Sequence, residues 1–400
     1  MFIATKLAQA GLRVDLVVAR NVGELRDEPL PGVNRVELGT PNEILAAPRW
    51  VRYLRRVRPR CAMSMIHSAN FNSGLGALLV PEVPVIVNLR KALDCHPAAQ
   101  WWLRSWFGFG PERALYKRAA RVVGVSKGVA EEATAMLDLP ADRVSSVPNP
   151  RRSCEASSDI PAEHEPFFER PVVLGVGRLA PQKGFGLLLT AFAEVAKERD
   201  LHLVLAGEGP GRHALSRKAA ALGVRDRVFL PGFVPNPQAY MRRARVFALA
   251  SCNEGCPNAL IEAMDAGAAI VATNCRFGPH EILDGGRFGA LVPVGDASAF
   301  AAALAVELDQ PDVGRDTRKR ARAAWMKRHD PDVMTRRYLE LVQDVIAESE
   351  PAVASGAPLN LTAGPLRAGR ASGTTASYGR RGLQERPDRS RPVPQPRVDG

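Results

Sequence analysis

The sequence predicts an α/β protein built from doubly wound domains, and three observations carry that prediction. From Pro171 onward, short apolar runs alternate regularly with helical patterns. Each run is almost continuously apolar rather than alternating, as expected when helices cover both faces of a parallel sheet. The 400 residues suffice for two ordinary domains, each with its own core.

The runs expected as strands are Val172–Val176, Leu201–Ala206, Val228–Leu230, Val246–Ala250, Ala269–Thr273 and Ala290–Val294. Helical patterns fall at Phe185–Lys197, Arg212–Leu222, Pro237–Arg243, Pro257–Ala266 and Ala297–Leu308. The first half repeats the theme less cleanly. A helix at Phe2–Ala10, closed by Gly11, leads to a strand at Val14–Ala19. A basic helix at Arg49–Val57 leads to a strand at Ala62–Ile66. Further strands fit Val83–Asn88 and Arg121–Val125, and a helix fits Lys127–Met136. The expected organisation is one domain over 1–150, a Pro- and charge-rich linker over 151–170, and a second domain over 171–330. A helical segment around Arg315–Arg328 and a final helix at Val333–Ala347 follow, the latter within 331–349. The tail, 350–400, lacks the apolar surface needed to offset its ordering entropy, and disorder is expected there.

Composition narrows the class. Apolar residues make up 46% and charged residues 24%, ordinary for a globular protein. The six cysteines form no CxxC pair, and Cys252 and Cys256 lack a second pair at zinc-finger spacing, so no structural zinc is expected and the usage fits a reducing cytoplasm. No apolar stretch reaches the roughly 18 residues of a membrane span. Met1–Ala10 reads as an amphipathic helix followed by a strand, not as a signal peptide. Of the net charge of +12, the last 50 residues contribute +5 through eight arginines. Much of the basicity therefore belongs to the tail, and no specific nucleic-acid partner is expected of the folded part.

Three stretches carry chemistry. Gly175–Gly184 ends a strand and opens a helix, where α/β sheets bind ligands. There Gly177 permits close backbone approach. Arg178 and Lys183 place two cations that suit a diphosphate, the first forked and the second a point charge; the competing reading is a tight turn with solvated cations. In Glu254–Ala263, Pro257 suits the first turn of a helix because its missing N–H needs no partner there. Glu254 then precedes the helix and Glu262 lies about one and a half turns inside it. Free N–H groups around Asn258 and Ala259 make an anion site. The two carboxylates are placed for sugar hydroxyls, or else are a helix-start acid and a solvated glutamate behind the buried stripe of Leu260, Ile261 and Met264. In Asn274–Leu283, Gly278 and Pro279 turn the chain before His280 and Glu281.

Arg178 with Lys183, Gly207-Glu208-Gly209-Pro210, Glu254 with Glu262, and Gly278-Pro279-x-Glu281 stand in the order found in glycosyltransferase family 4, which this sequence resembles over roughly Met1–Ala347. In the first half Asn70, Leu115–Ser126 and Val147–Pro150 also look like that family. The third motif is most similar to members that build bacterial surface polysaccharides and lipid-linked oligosaccharides. The resemblance implies the GT-B fold, two Rossmann-like domains facing across a cleft, with the final helix packing back toward the first domain. It implies retaining transfer from a nucleoside diphosphate sugar, with uridine the expected base, to a glycan or lipid-linked acceptor, without a metal or other cofactor.

Under that resemblance Arg178 and Lys183 neutralise the departing diphosphate, Glu254 meets donor-sugar hydroxyls and Glu262 the ribose. Glu208, Gly209, Gly255, Pro257, Asn258 and Ala259 belong to the binding surface. Phe277–Glu281, including Gly278 and Pro279, would line the sugar pocket, and Gly232-Phe233 would border the base. Family members begin with a strand and a glycine-rich loop that this sequence does not show before its first helix. The expectation is a start upstream of Met1; the alternative is a catalytically impaired nucleotide-sugar binder. Six arginines with Trp50 and Tyr53 in Pro48–Arg60, and the aromatic cluster Trp101, Trp102, Trp106, Phe107 and Phe109 beside Arg104, raise an expectation of peripheral contact with an anionic membrane from the cytoplasmic side. The competing reading is an ordinary helix with a solvated arginine face.

Overall fold

A computed structural model describes residues 1–21, 28–41, 44–93, 110–151, 160–310 and 315–349. The aromatic cluster at 101–109, residues 152–159 of the expected linker and the tail lie outside the described residues. Residues Met1–Ser355 form one compact unit.

In chain order the elements of the first half are α1 (Phe2–Gln9), β1 (Val14–Val18), β2 (Val33–Glu37), α2 (Ala47–Val57), β3 (Ala62–Ser64) and α3 (His67–Leu79). Then come β4 (Val85–Leu89), α4 (Gly110–Tyr116), β5 (Arg121–Gly124), α5 (Lys127–Leu137) and β6 (Val144–Ser146). The second half holds β7 (Val172–Val176), α6 (Phe185–Val195), β8 (His202–Ala206), α7 (Arg212–Ala221), β9 (Val228–Gly232), α8 (Pro237–Arg243) and β10 (Val246–Leu249). It continues with α9 (Asn258–Ala266), β11 (Ala269–Thr273), α10 (Pro279–Ile282), β12 (Ala290–Val292), α11 (Ala297–Asp309), α12 (Arg315–Met326) and α13 (Pro331–Ser349).

The second half is a six-stranded parallel sheet in the order β12-β11-β10-β7-β8-β9. Its strands β8, β10 and β11 are buried at every position, which matches sequences that are apolar except for His202 and Thr273. The strand order reverses between β7 and β10, so a crevice opens outside their carboxyl ends. The first-half strands form two separate parallel sheets, β1-β2 and β3-β4-β5-β6. With helices on the sheet faces, the architecture is that of two Rossmann-like halves.

One buried cluster is continuous between the halves, joining Val85, Val87 and Leu89 of the first to Phe247, Leu260 and Ile270 of the second. The other face of the six-stranded sheet packs Leu188, Leu189 and Phe192 of α6 against Phe300 and Leu304 of α11. The last helix, α13, shares a cluster with the first half: Met334, Tyr338, Val342 and Val345 pack with Leu7, Ile86, Val123 and Val147. Tyr338 also donates its hydroxyl to Asn88 Oδ1 at 3.0 Å. That bond joins a buried polar network in which Ser64 Oγ donates to Asn70 Oδ1, Asn70 Nδ2 to the Asn88 carbonyl and Asn88 Nδ2 to the Ser64 carbonyl. Fully satisfied buried networks of this kind fix one arrangement of the elements they join. Here they lock α3 and α13 to the carboxyl ends of β3 and β4.

Candidate active site

The loop after β7 and the loop after β10 meet at the reversal point. Gly184 makes the first of these turns possible. It sits at φ 63°, and a side chain there would collide with the Ala250 carbonyl. The turn delivers Lys183, whose ammonium lies 2.5 Å from Glu254 Oε1. Glu254 follows β10, is 6% exposed, and also accepts the Ser251 hydroxyl at 2.8 Å. Gln182 Nε2 bonds the Asn253 carbonyl at 2.7 Å and thereby ties the two loops together.

Helix α9 starts one residue later than the sequence indicates. Pro257 occupies the cap position, at φ −69° and ψ 111°, and Asn258 opens the helix. The helices α5, α8 and α11 carry side-chain caps from Ser126, Asn236 and Asp296. Proline has no side-chain acceptor with which to cap. The amino end of α9 is thus left with open N–H groups and the positive end of its dipole.

A cavity of about 400 Å³ collects these pieces. Gly177, Arg178, Lys183, Glu254, Gly255, Pro257, Asn258, Ala259 and Glu262 all line it, together with Val176 and Cys256. The first half contributes Arg90 and Asn149. Arg90 follows β4 as Arg178 follows β7, each at a strand's carboxyl end. Neither guanidinium makes a hydrogen bond or ion pair with a described residue, whereas Lys183 is held by Glu254. Three cations therefore face two carboxylates around the amino end of α9. Burial pushes the Cys256 thiol up to about 12, which keeps it protonated beside the cavity.

Several contacts close this side of the crevice. Asn149 Nδ2 donates to the Cys256 carbonyl at 2.9 Å and to Asn258 Oδ1 at 2.8 Å. Lys91 Nζ reaches Gln182 Oε1 at 3.0 Å. Gly255 lies so near the Arg90 carbonyl that a Cβ would collide with it.

The remaining expected site residues are placed elsewhere. Glu281 accepts the Lys127 N–H at 3.0 Å, at the start of α5, and does not line the cavity. Its carboxylate lies at the positive end of a first-half helix, which is favourable by itself. Gly278 and Pro279 turn the chain against Gly255 and Pro257, also outside the cavity lining. Phe277 rests on Gly128, and Arg276 pairs with Glu132 at 2.9 Å. Glu208 and Gly209 follow β8, and Glu208 is paired with Arg212 at 2.8 Å, a bond that lowers its pKa. Phe233 is 58% exposed and, like Glu208 and Gly209, lies off the cavity lining. Arg90 and Asn149 are the polar lining residues to which the sequence reading gave no role, beside Val176 and Cys256. The signal for Arg90 was its position just past an apolar strand.

The chemistry that this arrangement allows is the binding of an oxyanion group flanked by hydroxyls. Guanidinium, ammonium and helix N–H groups take the anion, and the two carboxylates accept from hydroxyls.

Comparison with known proteins points the same way. Residues 2–150 match a family model described as a glycosyl transferase 4-like domain, and residues 170–310 one described as glycosyl transferases group 1. Among characterised relatives, an N-acetylgalactosamine-N,N'-diacetylbacillosaminyl-diphospho-undecaprenol 4-alpha-N-acetylgalactosaminyltransferase from Campylobacter jejuni is 33% identical over 150 residues, 38% of this chain and 40% of that protein. An alpha-D-kanosaminyltransferase from Streptomyces kanamyceticus is 27% identical over 286 residues, 66% of this chain and 73% of that protein. The chain thus spans less than half of the first relative. The fold is shared with Anabaena Alr3699/HepE, crystallised with UDP and glucose, at a TM-score of 0.71 and 18% identity, covering 86% of this chain and 94% of that one.

Proposed function

The chain belongs to the family-4-like glycosyl transferases, and from that premise we propose that it moves a sugar from a uridine diphosphate sugar to a glycan or lipid-linked acceptor, with retention and without a metal. The observation that carries this reading is the convergence of Arg178, Lys183, Glu254, Glu262 and the uncapped amino end of α9 on one cavity.

The pyrophosphate would lie between Arg178, Lys183 and the N–H groups of Asn258 and Ala259. As the bond from the anomeric carbon to the β-phosphate oxygen breaks, its electron pair stays on that oxygen. Fixed positive groups stabilise that growing charge most in a site screened from water. The acceptor oxygen then bonds to the anomeric carbon on the face the phosphate leaves, and its proton passes to the phosphate oxygen. Positively charged side chains here take the part that a divalent ion plays in other phosphate chemistry. Glu254 would accept from donor-sugar hydroxyls while holding the Lys183 ammonium in place. Glu262 would accept from the ribose. The reported ligands and acceptors of the relatives, UDP with glucose for one and a diphospho-undecaprenol acceptor for another, are consistent with this substrate class.

The test is nucleotide release from a panel of UDP-, ADP- and GDP-sugars in the presence of a chelator. Release of UDP, undiminished by the chelator, is the expected result. Activity only with added metal, or no release from any of the UDP-sugars, would remove the proposal.

A further inference from the structure

We propose that the outer faces of α2 and α3 form a docking surface for an anionic lipid bilayer. The reading rests on how these two helices divide their residues, and it is independent of the transfer chemistry.

Helix α3 is inverted. Its buried side consists of Asn70, Asn72, Ser73, Gly74, Gly76 and Ala77. Leu75 is half-buried against the core, but the other large apolar residues face outward: Phe71 is 40% exposed, Leu78 44% and Leu79 45%. A helix that covers a core ordinarily shows the opposite pattern. Residues seven and eight positions apart share one side of a helix, so Phe71, Leu78 and Leu79 make a single stripe. Exposed apolar residues gathered on one side, rather than scattered singly, fit a contact site. The inversion is held rigidly. Asn70 belongs to the buried network with Ser64 and Asn88, and side chains at Gly74 and Gly76 would meet Leu115, Leu54 and Trp50.

Helix α2 packs beside it and buries Val51, Tyr53 and Leu54. Arg49, Arg52, Arg55 and Arg56 occupy the opposite side, and Arg58 follows at the helix end. None of these five arginines forms an ion pair with a described residue; Arg49 donates to the carbonyls of Leu38 and Gly39, and Arg55 to that of Leu79 at 3.4 Å. Several exposed arginines elsewhere are ion-paired, as Arg113 is with Asp138, Arg199 with Asp309 and Arg243 with Glu165. The Arg55 bond also puts the cationic face in contact with the end of the apolar stripe.

Uncompensated cations beside an outward apolar stripe suit a surface that is anionic at the headgroup and apolar just beneath it. A nucleic acid would use the arginines but leave Phe71, Leu78 and Leu79 without a partner. None of the described helices is long and apolar enough to cross a membrane, so the contact would be peripheral.

The experiment is flotation of the full chain with vesicles of phosphatidylcholine, with and without phosphatidylglycerol. Changing Arg52, Arg56 and Arg58 together to glutamine should lower partition onto the anionic vesicles by about 100-fold, at roughly five-fold per cation. Leu78→Ser with Leu79→Ser should lower it about ten-fold or more, with little dependence on salt. All are exposed, and matching thermal unfolding curves would verify that they fold. Changing the eight arginines of residues 351–400 to glutamine should leave most of the partition intact. Vesicle binding that vanishes with the tail arginines and survives both face variants would overturn the proposal. So would a chain that binds duplex RNA through the α2 arginines and no vesicle. Hydrogen exchange should show vesicle-dependent protection in residues 47–57 and 66–79.

Discussion

Lys183→Met removes one side of the Lys183–Glu254 pair, and the structure sets the size of the effect. The Glu254 carboxylate is 7% exposed and Lys183 21%, with 2.5 Å between ammonium and oxygen. Breaking a fully buried pair leaves an uncompensated charge and costs about 3–5 kcal/mol. Lys183 is partly open to water and Ser251 still donates to Glu254 at 2.8 Å, so a cost of about 2 kcal/mol is expected instead. The rate effect has a different origin. A fixed cation on the departing phosphate is worth about a hundred- to a thousand-fold. The double variant Lys183→Met/Glu254→Gln removes both charges and should regain most of the stability without regaining the rate. Chemical denaturation reads the first quantity and nucleotide release from the donor reads the second. A single variant that turned over within about three-fold of the parent would refute the assignment of Lys183, whatever its stability.

Arg90→Gln should weaken UDP binding about ten-fold or more, the value of a charge-assisted bond, and leave thermal stability unchanged because that guanidinium has no partner among the described residues; calorimetry against UDP and uridine separates the phosphate contribution. His329 is buried and bonded to the Asn149 carbonyl at 2.7 Å, and burial holds its pKa down at about 4 against an ordinary 6.5. The unfolded chain therefore binds this proton at a higher pH than the folded one. The stability contributed by neutral His329 is complete above about pH 6.5 and is lost as pH falls toward 4. Between pH 7 and pH 5 it should decline by about 2 kcal/mol in denaturant titrations, and His329→Gln should flatten that slope.

Much of the second half was legible because its signals are local. An almost unbroken apolar run such as Ala269–Thr273 leaves little alternative to a covered strand, and Asn236 with Pro237 fixes the start of α8 by capping chemistry. Strand β2 carries no such signal: Val33–Glu37 holds only two apolar residues, three positions apart, which is neither an unbroken apolar run nor an alternation. Helix α3 escaped for a more instructive reason. Its small and polar residues face inward, so the period that identifies a core-facing helix is reversed.

At the site, strand ends marked Arg178, Lys183 and Glu254 separately, and the family resemblance grouped them with Glu262 of α9. Contacts between the halves carry no such local signal. Nothing in the sequence near Glu281 indicates that its carboxylate meets the Lys127 N–H, or near Phe277 that its ring seats on Gly128.

The most direct test is a crystal structure with UDP bound. The pyrophosphate should lie within hydrogen-bond reach of the Arg178 guanidinium, the Lys183 ammonium and the N–H groups of Asn258 and Ala259, with the ribose hydroxyls on Glu262. A nucleotide found instead in the separate cavity of about 530 Å³ lined by Arg199, Arg243 and Arg245 would contradict the account.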